Sequence, residues 1–478
     1  MAIRKGNRNQ YTMLPPVIED YVGEDDIVRA YEAFIEALDF DNLGIKIDEN
    51  KLGCPQYHPK AMLKLLIYGY SYGWRSSRKL ERATHHNLSF IWLMGGLKPD
   101  HKTISRFRKN NLTALKKVLS QSAIMCINLG LIDGNTLFVD GSKMRGNASI
   151  NKTYTQDGLE RYLENVNTRI EEVLKEIEAV DEQEKDLDSM VKMEKKLKSR
   201  STLKAKIEKT LATIKENELK KINLTDNECV TVKGRQGTHA GYNAQVTVDE
   251  KHGLIVNSDV VCENNDTNQF HNQISQANEV LDGKCKTACA DAGYSNASNL
   301  KQTLDLGIDV VVPNTKQASH KPQKDNPFDK SNFEYDAEKD VYICPEEKVL
   351  VRQGRDNKKN TVHYRMRYKN DCLNCENYGV CTNAKRGRSV KRLDDEETKE
   401  FLAKVYDSDS GQSIYKKRKS KVELPFGHIK RNLKSGHFLV RGKDGAIAEL
   451  SIVCSCFNVI RMINLLGGVQ KFASEVTT

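Results

Sequence analysis

Apolar and polar residues change their period several times along this chain. Between Pro59 and Tyr70 apolar residues return at helical spacing, behind a proline suited to a first helical turn. A second helix is predicted to begin at Ser76. A third begins near Pro99, where Asp100 or Thr103 can cap it and Arg106, Arg108 and Lys109 are displayed on it. A short helix, a turn and a basic helix fit a helix-turn-helix-like DNA reader, and fit equally an ordinary helical bundle with a solvated basic face. Residues 1–130 therefore read as a helical N-terminal domain.

Strand signals begin after residue 131. Thr136 to Val139 is an apolar run that ends at Asp140. Tyr242–Asp249 and Leu254–Val261 read as two strands joined by a hairpin connection, Glu250 to Gly253. Asn265 and Asp266 offer capping chemistry for a following helix. A second apolar run, Thr287 to Ala290, ends at Asp291, and a helix near Ser295–Leu306 and a strand from Ile308 to Pro313 follow. Strand, hairpin, helix, strand, helix, strand predicts an α/β domain over 131–465, a mixed sheet flanked by helices and related to RNase H.

Two insertions interrupt it. Residues 156–227 are rich in Lys and Glu, with no glycine after Gly158 and no proline. Ile170, Val173, Ile177, Val180 and Leu187 keep heptad-like spacing, as do Ile207, Leu211 and Ile214, which predicts a coiled-coil-like helical hairpin. Its plainest role is a solvated arm. Residues 316–395 are poor in apolar residues and carry Cys344, Cys372, Cys375 and Cys381. A CxxC with two further cysteines on flanking turns can make a tetrahedral Zn²⁺ site, and a segment short of a core gains from such a staple. Free thiols in a loop-rich insert are the alternative. Cys126, Cys262, Cys285 and Cys289 are expected in the core.

Composition sharpens this little. The 478 residues predict two to four structural units. A net charge of +10 suggests a polyanionic partner, but 65 acidic residues dilute it. The clustering of Lys416 to Lys421, then Lys430, Arg431, Lys434 and Arg441, is more persuasive. No stretch approaches about 18 consecutive apolar residues. The first residues carry no apolar signal region. A cytoplasmic protein is the expectation, so its 12 cysteines are read as thiols or metal ligands.

Three carboxylates carry the chemistry. Asp140 and Asp291 end apolar strands, and Glu423 sits in a basic helical segment from Tyr415 to Lys430. Converging carboxylates repel unless cations hold them, and hard oxygen ligands favour Mg²⁺ or Mn²⁺. A pair of such metals is a device for cutting and joining phosphodiesters. Asp140-Gly-Ser-Lys, Asp291-Ala-Gly-Tyr, and Tyr415, Arg418, Glu423 and Lys430 occur in this order. Together they resemble the signatures of the DDE transposases of bacterial insertion sequences. The segment Pro99 to Arg108 is similar to the N-terminal domain that often precedes their core. The cysteine cluster also recurs in one branch. Four residues separate Arg418 from Glu423, where the family's usual pattern has three.

The resemblance implies that Asp140 bridges two divalent metals, with Asp291 holding one and Glu423 the other. Lys430, Tyr415 and Arg418 would contact phosphates near the scissile bond, and Arg106 and Arg108 would contact DNA from the N-terminal domain. It implies double-stranded DNA as partner, as element ends and as target, and a homodimer or larger synaptic complex. Two other functions remain open: a metal-dependent nuclease of the same fold that cuts without joining, and a non-catalytic DNA-binding regulator. A strand-transfer assay separates the first. Mutating the carboxylates without effect would identify the second. Asn243, Gln245 and Asp266 have weaker claims, and the Gly234–Gly237 segment reads as a loop.

Overall fold

A computed structural model describes residues 17–45, 56–181, 187–234, 237–319, 326–357 and 360–477, and the side chains of 178–191 are outside the description. The chain forms two compact units. The first comprises Met1–Asp266, Asn272–Ala288 and Lys417–Thr478, and the second Thr267–His271 and Cys289–Lys416.

The first unit begins with helices whose ends are set by local chemistry. Asp26 accepts a hydrogen bond from the Val28 amide at 2.9 Å, starting Ile27–Glu36. Pro59 opens Pro59–Ser71 at its first turn. The Asp100 carboxylate accepts from the Thr103 amide at 2.8 Å and caps His101–Asn110, as its sequence suggests. Leu112–Asn128 follows. These helices lie in the same compact unit as the sheet.

Within the sheet, Thr136–Arg145 runs antiparallel to Gly237–Asp249, with Asp140 opposite Val246 and Lys143 opposite Asn243. Gly237–Asp249 pairs on its other edge with Ile255–Val261 and, near its start, with Val230–Gly234. The sheet continues from Thr136–Arg145 to the strand that starts at Thr287. The predicted hairpin is present. The Asp249 amide donates to the Leu254 carbonyl at 2.9 Å, and Gly253 takes a φ of +68° that other residues rarely adopt. At the far end Gly241 lets two strands approach: a Cβ there would stand 2.2 Å from the Met144 carbonyl oxygen.

Gly237–Asp249 alternates Tyr242, Ala244, Val246 and Val248 with Asn243, Gln245, Thr247 and Asp249. Alternation of this kind ordinarily marks one wet face. Here all eight are buried, so each polar side chain needs partners inside the protein. Asp249 finds the amides of Gly134 and Lys251, both at 2.9 Å, and burial raises its pKa above the ordinary carboxylate value.

The helix Lys443–Leu466 packs against Leu112–Asn128, Pro59–Ser71 and Ile255–Val261. By length and composition it could cross a membrane, but 83% of its apolar window is buried inside the protein. Glu449, Ser451, Ser455, Asn458 and Arg461 interrupt its apolar residues, so no unbroken apolar run arises, and the helix is part of the core. Its Asn458 is buried among apolar residues and stays satisfied by clamping Ile255, donating to its carbonyl at 2.8 Å and accepting from its amide at 2.9 Å.

The Lys- and Glu-rich segment forms two helices, Gln156–Asp181 and Leu187–Glu216. Val166, Ile207, Leu211 and Ile214 share one buried cluster, with Ile170 packed against it, and Val173 is buried too. The side chains of Val180 and Leu187 lie outside the described residues.

The second unit departs from expectation. The cysteine-bearing segment is no coreless insert. It contains a five-stranded antiparallel sheet in the order Ser389–Leu393, Thr361–Met366, Val349–Asp356, Val341–Ile343 and Glu334–Asp336. Its core gathers Phe333, Tyr342, Leu350, Val362, Tyr364, Met366, Cys372 and Val390. Tyrosines supply apolar area that aliphatic residues do not. Asp340 accepts from the hydroxyls of Tyr335 at 2.8 Å and Tyr364 at 2.5 Å, which lets Tyr364 be buried and Tyr335 partly buried without orphaning their polar ends.

Candidate functional site

Leu137, Phe138 and Val139 are buried and fix the first strand, and Asp140 emerges half-buried behind them. Asp140 and Ser142 share a face by the period of two. The helix Asp409–Arg431 serves that face: Arg418 Nη2 donates to Asp140 Oδ1 at 3.0 Å, and Lys430 donates to the Ser142 hydroxyl. The Asp140 and Arg418 side chains are 20% and 12% exposed, so their ion pair is shielded more than a surface pair would be. The same helix is tied to the hairpin turn. Lys417 pairs with Glu250 at 2.7 Å, and Lys421 donates to the Lys251 carbonyl at 3.0 Å.

Glu423 lies between these contacts and is exposed. The helix passes through Pro425 without ending. Seven residues return to within about 20° on an α-helix, so Glu423 and Lys430 share a face.

The other face of the first strand carries a second polar group. Lys143 Nζ sits 3.1 Å from both Asp266 oxygens, and Asn243 and Gln245 each donate to Asp266 Oδ1 at 2.7 Å. Asp266 was expected to cap a helix. Instead it is the acceptor for this network, because the two buried amides opposite the first strand require one. The following helix begins later, at Phe270.

Asp291 belongs to the second unit, half-buried, where its carboxylate accepts from the Gly293 amide at 2.9 Å and caps a short turn. Tyr415, also of that unit, packs edge-on against Tyr406 with ring centroids 5.1 Å apart.

Residues 16–110 match the family described as a transposase domain (DUF772), and residues 343–463 match the transposase DDE domain. Both matches are to transposase domains, one toward each end of the chain, and together they support an insertion-sequence DDE transposase. No curated protein and no solved structure matches the transposase. Glu423, Lys430 and the four grouped cysteines fall inside the second match, whereas Asp140 and Asp291 precede it.

Of the two N-terminal arginines, only Arg106 is exposed. It shares an open groove of about 680 Å³ with Arg78, Lys102 and Lys109. Arg108 is turned inward, donating to the Tyr70 hydroxyl at 3.2 Å and the Arg75 carbonyl at 3.0 Å. Two positions along a helix point to different faces, and Ile104 at this helix's buried face draws Arg108 with it.

Cys344, Cys372, Cys375 and Cys381 line one cavity of about 20 Å³. Two of the sulfurs accept backbone amides, Cys372 from Arg388 at 3.3 Å and Cys344 from Lys348 at 3.4 Å. Among the described residues no group of three or more His, Cys, Asp or Glu is placed to hold a metal ion. Cys126, Cys285, Cys289, Cys454 and Cys456 are buried, and Cys262 is partly so.

Sequence reasoning missed the buried pair Arg75 and Glu449. Arg75 Nη1 donates to Glu449 Oε1 at 2.6 Å, with side chains 4% and 1% exposed. An arginine and a glutamate 374 residues apart leave no local signal.

Proposed function

We propose that the transposase binds the terminal inverted repeats of its element, cuts strands at the element's ends and joins the freed 3′-OH to target DNA. The observation that carries this reading is Arg418 on Asp140, with Lys430 two residues along the same strand face. The helix that carries Glu423 thus sets two cations, Arg418 and Lys430, against the strand that presents Asp140.

The antiparallel group of three strands beside a further strand supports an RNase H-like core. Asp140, Asp291 and Glu423 would hold divalent cations. Their donor chemistry is carboxylate only, which suits Mg²⁺ or Mn²⁺, and Asp140 already takes a cation as partner. Bound metal would stabilise charge developing on the scissile phosphate. Arg418 orients the Asp140 carboxylate, and Lys430 offers a cation to a phosphate lying over Ser142. Tyr415 and the Arg106 groove supply further DNA contacts. Two ends must meet, so a dimer or larger assembly acts.

The test is an end-cleavage and strand-transfer assay with purified protein, Mg²⁺ and DNA carrying the flanking element ends. Joined product, lost in Asp140→Ala, supports transposition. Cleavage without joining indicates a nuclease, and binding without cleavage a regulator.

A further inference from the structure

The transposase's first strand does not stop at its catalytic aspartate. Arg145 lies five residues beyond Asp140, about 17 Å at about 3.4 Å per residue. There the strand is extended sideways. The Phe438 amide donates to the Arg145 carbonyl at 2.8 Å, and the Gly146 amide to Ala240 at 2.9 Å. Between these segments runs an open groove of about 890 Å³.

Its charge is one-sided. Arg145, Lys152 and Arg441 line it, with the imidazoles of His239 and His437, and none of its lining residues is a carboxylate. All three cationic residues are exposed. Arg441 Nε donates to the Asn147 carbonyl at 3.1 Å, which steadies its guanidinium at the groove. His239 Nε2 is buried with no hydrogen-bond partner among the described residues.

The wall is held by polar contacts to buried side chains. The buried Arg75 donates to the carbonyls of His437 at 2.5 Å and Lys434 at 3.0 Å, while Glu449 Oε2 accepts from the amides of Leu439 and Val440 at 2.9 and 3.1 Å. The segment Lys434–Val440 is thus bolted to the core helix by an ion pair. A wall held this way loses little entropy when the groove is occupied.

We propose that this groove, beyond the end of the first strand, binds the phosphodiester backbone of DNA. The proposal rests on the transposase reading. Spread, solvent-facing cations without a carboxylate suit a repeating polyanion, whereas a small anion would need convergent donors in an enclosed pocket.

The experiment uses the full chain with fluorescein-labelled 30-nucleotide DNA of mixed sequence, single-stranded and duplex, followed by anisotropy over a salt series. The groove variant is Arg145→Gln/Lys152→Gln. The control, Lys284→Gln/Lys209→Gln, removes two exposed charges elsewhere. Melting of both variants like the parent secures folding. On either DNA, the log–log salt slope of the groove variant is expected to fall by roughly 1 per removed contact, about 2 in all, with the control unchanged. An unchanged slope, or an equal fall in both variants, overturns the groove while leaving the transposase reading intact. Failure of the parent protein to bind either DNA would overturn that reading itself.

Discussion

Arg418 and Asp140 are separated by 278 residues and meet at 3.0 Å. A carboxylate on a strand is common. One that faces a largely buried guanidinium from a Glu-bearing helix is not. The pair gives the half-buried Asp140 carboxylate a cationic partner 12% exposed.

Asp140→Ala is expected to lower strand cleavage by more than about a hundredfold, beyond the usual cost of losing an outer-shell partner. Arg418→Gln should cost about 10–100-fold, because the carboxylate remains but loses its orienting partner. DNA affinity at fixed salt should change little in Asp140→Ala. Parallel cleavage and anisotropy titrations check this, and retained cleavage in Asp140→Ala removes the residue from the chemistry.

Glu449→Ala leaves Arg75 charged and buried without its partner. The expected cost is about 3–5 kcal/mol in urea unfolding, and the double change Arg75→Met/Glu449→Leu should cost less than Glu449→Ala alone. If the double variant is the weaker of the two, the pair is not a coupled unit.

His428 packs against Phe457 at 5.5 Å between ring centroids and stands 3.0 Å from the Asn432 amide nitrogen. Burial, helped by the nearby Arg461 charge, lowers its pKa below the ordinary 6.5. The unfolded chain therefore takes up a proton more readily than the folded one. Stability contributed by neutral His428 is present above pH 6.5 and declines as pH falls below it. Melting temperatures at pH 5, 6 and 7 should drop on acidification in the parent, and less steeply in His428→Gln. Parallel profiles would exclude His428 as a cause.

The four thiols around the small cavity give a metal prediction. If they bind Zn²⁺, purified protein contains about one zinc per chain, and a chelator lowers the melting temperature. Cys375→Ser should then lose the metal. Zinc-free protein that melts identically with and without chelator identifies them as plain thiols.

Much of the framework was legible locally. Asp100 caps its helix, Pro59 opens another, and Glu250 to Gly253 turns the hairpin, because each depends on residues a few positions apart. Lys430 and Glu423 could be placed on one face from spacing alone. The tyrosine-built sheet was not legible, because its strands are short and their apolar area comes from rings with polar ends.

The sequence by itself determined the helices, the hairpin, the strand that carries Asp140 and the family, whereas Asp140 lies in the middle of that strand and not at its end. All follow from periodicity, capping and motif order, which act along the chain. The tertiary structure alone decided that Arg418 would partner Asp140, that Asp266 would serve Lys143, Asn243 and Gln245, that Arg108 would turn inward, and that Arg75 and Glu449 would bolt a basic groove in place. Each is a pairing of polar groups driven by burial. Which donor meets which acceptor depends on how distant segments pack, and the residues near each in sequence carry no trace of it.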